Sequence, residues 1–367
     1  MTRVAAYAVL GFCVVAGCTP VHRPARVRHV ELRSDAVRSC RADITTQSRT
    51  NRVRWVGPDD VREKARLDSW CAGVGPALLR GELGAAEARL DEVMFVSWNV
   101  HVGNADIARF VGDLQAGKLS NGRRPRHLVM MLQEAIRSGD VPASLPDTAS
   151  TAGRIGPADA DAVGISRVAQ QLDMSVFYVP AMRDGAASEK YSPADRGNAI
   201  LSTVRLSEPS AIELPGDGQR RVAVTATVPV TVGNESAPLS IVAAHLSTRG
   251  PARTLWVFGA TGLRRAQARS LASALPANGP MVLGADLNSW MGGPREPAAR
   301  DLMRAFPSTP DEPRQATASA GLVLDYMFFR PPSGWRPQFR RAPERYGSDH
   351  YALIGWLEPP APDRPAF

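Results

Sequence analysis

Met281-Val282-Leu283-Gly284-Ala285-Asp286-Leu287-Asn288 is an apolar run that ends on a carboxylate and an amide two residues apart. Uncharged until its tip, it reads as a buried strand whose polar end emerges at the edge of a sheet. The pattern recurs. Asn99 follows Met94-Phe95-Val96-Ser97-Trp98, and Glu134 follows Leu128-Val129-Met130-Met131-Leu132-Gln133. His245 ends the run Leu239-Ser240-Ile241-Val242-Ala243-Ala244. Polar groups placed repeatedly at the ends of buried strands converge on one rim, where a site is usually built.

Working outward, further strands are expected over 93–98, 127–133, 175–179, 197–204, 221–232, 238–246, 281–285, 323–329 and 350–357. Helices are expected over 107–115, 161–172 and 262–275. That is too many strands for a small doubly wound domain.

Ser97-Trp98-Asn99, Gln133-Glu134, Gly197-Asn198-Ala199-Ile200-Leu201-Ser202, Gly284-Ala285-Asp286-Leu287-Asn288, Leu324-Asp325-Tyr326 and Gly347-Ser348-Asp349-His350 follow one another in order. Together they resemble the motifs of the endonuclease/exonuclease/phosphatase superfamily, over roughly Val93 to Leu357. That superfamily includes pancreatic-type deoxyribonucleases, abasic-site endonucleases, sphingomyelinases and inositol-polyphosphate phosphatases. The resemblance implies an α/β fold, a four-layer sandwich of two packed, mostly antiparallel sheets flanked by helices. It also implies a divalent-metal-dependent phosphoesterase that cleaves P–O bonds by in-line attack of water.

The roles follow from chemical need. A hard cation, Mg²⁺ or Mn²⁺, takes oxygen ligands and only one or two carboxylates, so Glu134 is the principal ligand, with Asn99 and Asp349 beside it. Asp286 orients and deprotonates the water, and Asn288 donates to a phosphate oxygen. Asp325 fixes the ring of His350, which either contacts the phosphate or acts as base. His245 resembles the phosphate-binding or acid histidine of deoxyribonucleases and sphingomyelinases, where abasic-site endonucleases carry tyrosine. Asn198 supports the site. His22, His29, His101 and His127 receive no role, and Arg123-Arg124 and Arg220-Arg221 read as solvated surface. Nucleic acid is the first substrate expected, a phospholipid or sphingolipid head group the second, and a small phosphomonoester the third. A phosphate-binding relative without turnover is the alternative of different class. Thr254-Leu255-Trp256-Val257-Phe258-Gly259 reads either as core or as a wedge into lipid.

The N-terminus reads as an address. Arg3 precedes an apolar stretch from Val4 to Val15, too short to span a bilayer but suited to a signal peptide over residues 1–17. Val15-Ala16-Gly17-Cys18 resembles the lipobox of bacterial lipoproteins, with Cys18 as the lipidated residue. Thr19 after it implies an outer-membrane or surface location. Residues 18–92 read as a tether and N-terminal extension, 93–358 as the catalytic domain and 359–367 as a Pro-rich tail. The net charge is +8, and residues 19–66 hold twice as many basic as acidic side chains. Most of the positive excess therefore lies outside the catalytic region, although basic surface attracts phosphate-rich partners. Apolar content of 44% excludes wholesale disorder. Export leaves Cys40 and Cys71 in an oxidising compartment, either paired or as two free thiols. Pro58-Asp59-Asp60 followed by Val61 to Trp70 reads as a capped amphipathic helix, with Val61, Ala65 and Trp70 facing inward.

Overall fold

The computed structural model describes residues 29–32, 40, 43–45, 53–138, 163–184, 194–216, 219–248, 260–289, 292, 295–310 and 315–361. The signal segment, Cys18 and the Thr254–Gly259 stretch lie outside the described residues. In chain order the strands are β1 His29–Glu31, β2 Asp43–Thr45, β3 Arg54–Pro58, β4 Ala77–Arg80, β5 Ala88–Arg89, β6 Val93–Asn99, β7 His127–Ser138 and β8 Ser175–Asp184. They continue with β9 Ala194–Ser202, β10 Ser207–Leu214, β11 Arg221–Val232, β12 Glu235–His245, β13 Met281–Asp286, β14 Asp325–Arg330, β15 Arg336–Arg341 and β16 Leu353–Glu358. The helices are α1 Val61–Cys71, α2 Ile107–Gln115, α3 Ile165–Gln171, α4 Thr261–Ala274 and α5 Pro297–Ala305.

Two mixed, mostly antiparallel sheets result. One runs β1-β3-β10-β11-β12-β13-β14, with β5 beside β11, and the other runs β15-β16-β6-β7-β9-β8-β4-β2. Successive side chains of a strand point to opposite faces, and the apolar runs use both. Phe95, Met131, Phe177 and Ile200 of one sheet meet Val224, Ile241, Val282 and Phe329 of the other between the sheets. Met94, Val96, Trp98, Met130 and Leu132 turn outward onto Phe110 and Leu114 of α2 and Ile165 and Val168 of α3. Val242, Leu283, Ala285 and Phe328 meet Ala268 and Leu271 of α4 and Ala298 and Leu302 of α5. The layers are therefore helix, sheet, sheet, helix, the central strands buried on two faces. Complete burial of one such side chain contributes roughly 1.5–3 kcal/mol, so continuous apolar runs suit the interior.

One glycine sets how closely the sheets approach beside the site. A Cβ on Gly284 would lie 2.6 Å from Ser97 Oγ and 3.0 Å from Met131 Cβ.

The segment ahead of Val93 supplies strands to both sheets: β1 and β3 extend the first at β10, and β2 and β4 extend the second at β8. Cys40 and Cys71 form a disulfide, Cα to Cα 5.1 Å, both side chains buried. Helix α1 is capped as expected, Asp60 accepting from the backbone N–H groups of Arg62 and Glu63. Its inward face differs from the expected one. Leu67, Trp70 and Cys71 are buried, whereas Val61 is 82% exposed and Ala65 is also exposed. Trp70 packs on Gly216, and the i, i+3, i+4 stripe that includes it runs through Leu67 and Cys71. Among the described residues no helix is long and apolar enough to cross a membrane.

Candidate active site

Three neighbouring strands end at one level. His245 of β12 pairs with Asp286 of β13, and Asp286 pairs with Asp325 of β14. The period of two along each strand then puts these side chains on one face. His245 Nε2 lies 3.4 Å from Asp286 Oδ2. From the facing sheet, Asn99 at the tip of β6 donates Nδ2–H to the same Oδ2 at 2.9 Å. The site is thus closed across the sandwich by an amide–carboxylate hydrogen bond.

His350 enters from the segment before β16. Its Nδ1 bonds Asp325 Oδ2 at 2.8 Å, and its backbone is held at two points, one of them through a serine that is itself anchored. Trp98 Nε1 donates to His350 O, His350 N donates to Ser348 Oγ, and Ser348 Oγ donates to Asn99 O. The ring's other nitrogen, Nε2, lies 3.9 Å from Asp349 Oδ1, and His101 Nδ1 lies 3.8 Å from that oxygen. Asp349 is 47% exposed and stands at the mouth.

Glu134 is placed by a bulge. Leu132 pairs with Ala199 and Ala135 with Gly197, so Gln133 and Glu134 together oppose Asn198. Glu134 takes φ +55°, a left-handed conformation that costs a non-glycine residue roughly 1–3 kcal/mol and clusters at functional sites. Asn288 does the same at φ +50°. Its backbone N–H bonds Asp286 Oδ1 at 2.8 Å, and its Nδ2 donates to Leu246 O at 2.9 Å, leaving one amide proton for another acceptor. Asn198 donates to Val222 O of the other sheet at 2.6 Å, and its Oδ1 is buried with no hydrogen-bond partner. Next to it Gly197 admits the close approach of β8, because any Cβ there would lie 1.9 Å from Val179 O.

Burial and neighbours split the titrating groups. Burial alone would push the His350 imidazole down, but Asp325, Asp286 and Asp349 outweigh it and raise the ring to about 10. Burial, then the Asp325 charge, lifts Asp286 to about 7. His245 is held well below the ordinary histidine value by burial and by Arg221, Arg196 and His350. At neutral pH the site therefore holds a cationic His350, a neutral His245 and a carboxylate poised to exchange a proton.

The donor set fits a hard cation. Carboxylates of Glu134, Asp286, Asp325 and Asp349 and the amide of Asn99 supply oxygens, and Asp325 Oδ1 is buried without a hydrogen-bond partner, a costly arrangement unless charge is placed against it. Ligand atoms of Asp286, Asp325 and His350 lie within 4.8 Å of one another. His350 Nδ1, however, is occupied by Asp325.

Sequence reading missed two arginines. Arg196 Nη1 lies 3.4 Å from Glu134 Oε2, and its Nε lies 4.0 Å from Asp184. Arg221 lines the same small pocket with Asn198 and His245. The expectation that Arg220-Arg221 is a solvated face is corrected: Arg220 is fully buried on Glu213, Nη2 to Oε1 2.6 Å, and Arg221 is 5% exposed. Glu213 of β10 and the Pro180 carbonyl, which accepts from Arg220 Nη1 at 2.7 Å, make the burial of Arg220 tolerable. His101, two residues beyond Asn99, also stands at the site. Its sequence signal was that proximity alone.

No curated protein matches the chain. Among solved structures it is similar to an endonuclease/exonuclease/phosphatase from Beutenbergia cavernae at 20% identity and TM-score 0.48, covering 73% of this chain and 72% of that one. The human Nocturnin catalytic domain with bound sulfate gives 15% identity, TM-score 0.44 and coverage of 77% and 97%. Sphingomyelinase C from Streptomyces griseocarneus gives 15% identity, TM-score 0.40 and coverage of 72% and 98%. The model of the endonuclease/exonuclease/phosphatase family matches residues 96–350, a span that contains every site residue from Asn99 to His350, and the chain belongs to that family, whose members are generally hydrolases of phosphoester bonds.

Proposed function

We propose that this protein is a divalent-metal-dependent phosphodiesterase acting on nucleic acid, exported and held at the outer membrane or cell surface by lipid on Cys18. The observation that carries the reading is the convergence of His245, Asp286, Asp325 and His350 with Asn99 from the opposite sheet. Glu134, Asn99 and Asp349 would hold Mg²⁺ or Mn²⁺, which would supply charge stabilisation at the phosphoryl and leaving oxygens.

The chain's own groups do the rest. The His350 cation, its Nδ1 committed to Asp325, directs Nε2–H at a phosphoryl oxygen. Asp286, at about 7, takes the proton of the attacking water as its oxygen bonds to phosphorus and the P–O bond to the leaving group breaks. Asn99 and the Asn288 N–H hold the Asp286 carboxylate in place, and the remaining Asn288 amide proton faces the phosphate. The neutral His245 ring offers Nε2, which is buried without a hydrogen-bond partner. Asn198 braces the wall beside Glu134.

The test is hydrolysis by the purified mature protein, with Mg²⁺, Mn²⁺ or EDTA, of plasmid DNA, RNA, sphingomyelin and inositol phosphates. EDTA-sensitive cleavage of DNA or RNA supports the reading, and cleavage of sphingomyelin alone replaces nucleic acid with lipid. Cys18→Ala is expected to move the protein out of the membrane fraction. Retention of that variant would show a different anchor.

A further inference from the structure

Tyr351 directly follows His350, and its ring carries two guanidinium groups. Arg341 Cζ lies 4.0 Å from the ring centroid and Arg345 Cζ 5.5 Å. Both arginines are pinned by neutral acceptors: Arg341 Nη1 to Ala316 O at 2.6 Å, and Arg345 Nη1 to Ser319 Oγ at 2.7 Å. Ser319 Oγ donates to Asp349 O, Tyr351 N donates to Thr317 O, and Ala318 forms a β-bridge with His350. The two cations are therefore built onto the same backbone that presents the catalytic histidine. Among the described residues neither has a carboxylate partner. Glu344, between them in sequence, pairs with Arg109 instead. Arg341 and Arg345 thus form a positive strip beside the catalytic histidine, whereas Arg340, bonded to Asn121, turns to the opposite face of β15 and is not part of it.

We infer that this strip is a phosphate track for a polynucleotide strand leading away from the scissile bond. The inference rests on the nucleic-acid phosphodiesterase reading and assigns residues beside the scissile bond that hold the strand. A guanidinium fork matches phosphate oxygens, and one held on an aromatic ring has already lost much of the freedom that binding would cost. Cations without acidic partners retain their attraction for a polyanion. An anionic membrane would also attract them, but stable seating on a bilayer needs apolar groups that insert. The exposed large hydrophobic residues among those described are Val61 and Leu83, and neither is in the strip.

The test is binding of a fluorescein-labelled single-stranded oligonucleotide, by anisotropy in EDTA, across a salt series. The full mature chain is compared with Arg345→Gln, Arg341→Gln and the double variant, each checked for its folded state by circular dichroism. Binding to phosphatidylserine/phosphatidylcholine vesicles is measured in parallel. Affinity should fall about tenfold in the double variant, and the slope of log affinity against log salt should decrease by about 0.7 per arginine removed. The ratio of kcat/KM on the oligonucleotide to kcat/KM on bis-para-nitrophenyl phosphate, measured with Mg²⁺, should fall by a similar factor. An unchanged affinity and slope in folded variants overturns the track while leaving the phosphodiesterase reading intact. Loss of vesicle binding with oligonucleotide binding unchanged overturns it in favour of a membrane surface. Loss of oligonucleotide binding in a protein that cleaves no phosphoester keeps the track and removes the catalytic reading.

Discussion

Asp325 Oδ2 and His350 Nδ1 lie 2.8 Å apart, and both side chains are buried. This contact ties β14 to the loop before β16, fixes which ring nitrogen faces the substrate, and keeps a positive charge in a region that burial alone would make neutral. The functional predictions depend on this pair and on the strand ends around it.

Asp325→Asn keeps the shape and removes the charge. The His350 ring should then titrate well below its present value of about 10, and turnover should fall on the order of a hundred- to ten-thousand-fold. NMR titration of the His350 ring with kinetics on the same preparation checks both. An unshifted titration would break the proposed link.

Stability should depend on alkaline pH through the same pair. The folded value of His350 is raised above its unfolded value of 6.5, so the pair's contribution is fully present below pH 6.5 and is lost as pH rises toward about 10. In EDTA the wild-type unfolding free energy, read by urea titration, should decline across that window by an amount on the order of a few kcal/mol. His350→Gln should flatten this limb. Parallel wild-type and variant profiles would contradict it.

Glu134→Gly should separate stability from metal affinity. Glycine relieves the left-handed backbone at φ +55°, so the variant should melt higher in EDTA by about 1 kcal/mol of stability. Mn²⁺ binding followed by electron paramagnetic resonance should weaken at least about tenfold. Undiminished Mn²⁺ affinity would remove Glu134 from the ligand set.

Gly197→Ala places a methyl group 1.9 Å from Val179 O, a backbone neighbour that cannot step aside. The expected loss is about 4 kcal/mol or more, read by urea unfolding or as insolubility. Cys71→Ser opens a cross-link between residues 31 apart in sequence and should cost about 3–4 kcal/mol on the chain-entropy account.

The central strands were legible because their side chains are buried on both faces. The expected strand over 93–98 occupies Val93–Asn99, and that over 281–285 occupies Met281–Asp286. Helix α2 occupies the residues expected of it, 107–115. Edge strands such as β15, Arg-Pro-Gln-Phe-Arg-Arg, were missed, since one open side admits charge and proline and erases the apolar signal. Helix α5 was missed too. Site residues at strand tips could be read from a single run each. The bulge that aims Glu134 could not, because a bulge is defined by the register of a partner strand. The burial of Arg220 was equally hidden, for it depends on Glu213 of β10 and the Pro180 carbonyl of β8.

The most direct measurement is hydrolysis of a labelled oligonucleotide and of bis-para-nitrophenyl phosphate by wild type, Asp286→Asn and His350→Gln, each with Mg²⁺, Mn²⁺ or EDTA. The proposed mechanism predicts metal-dependent cleavage by wild type, silenced by EDTA and restored by added metal. Both folded variants should lose several orders of magnitude in kcat. Cleavage that persists in EDTA, or near-wild-type turnover by folded Asp286→Asn or His350→Gln, would contradict it.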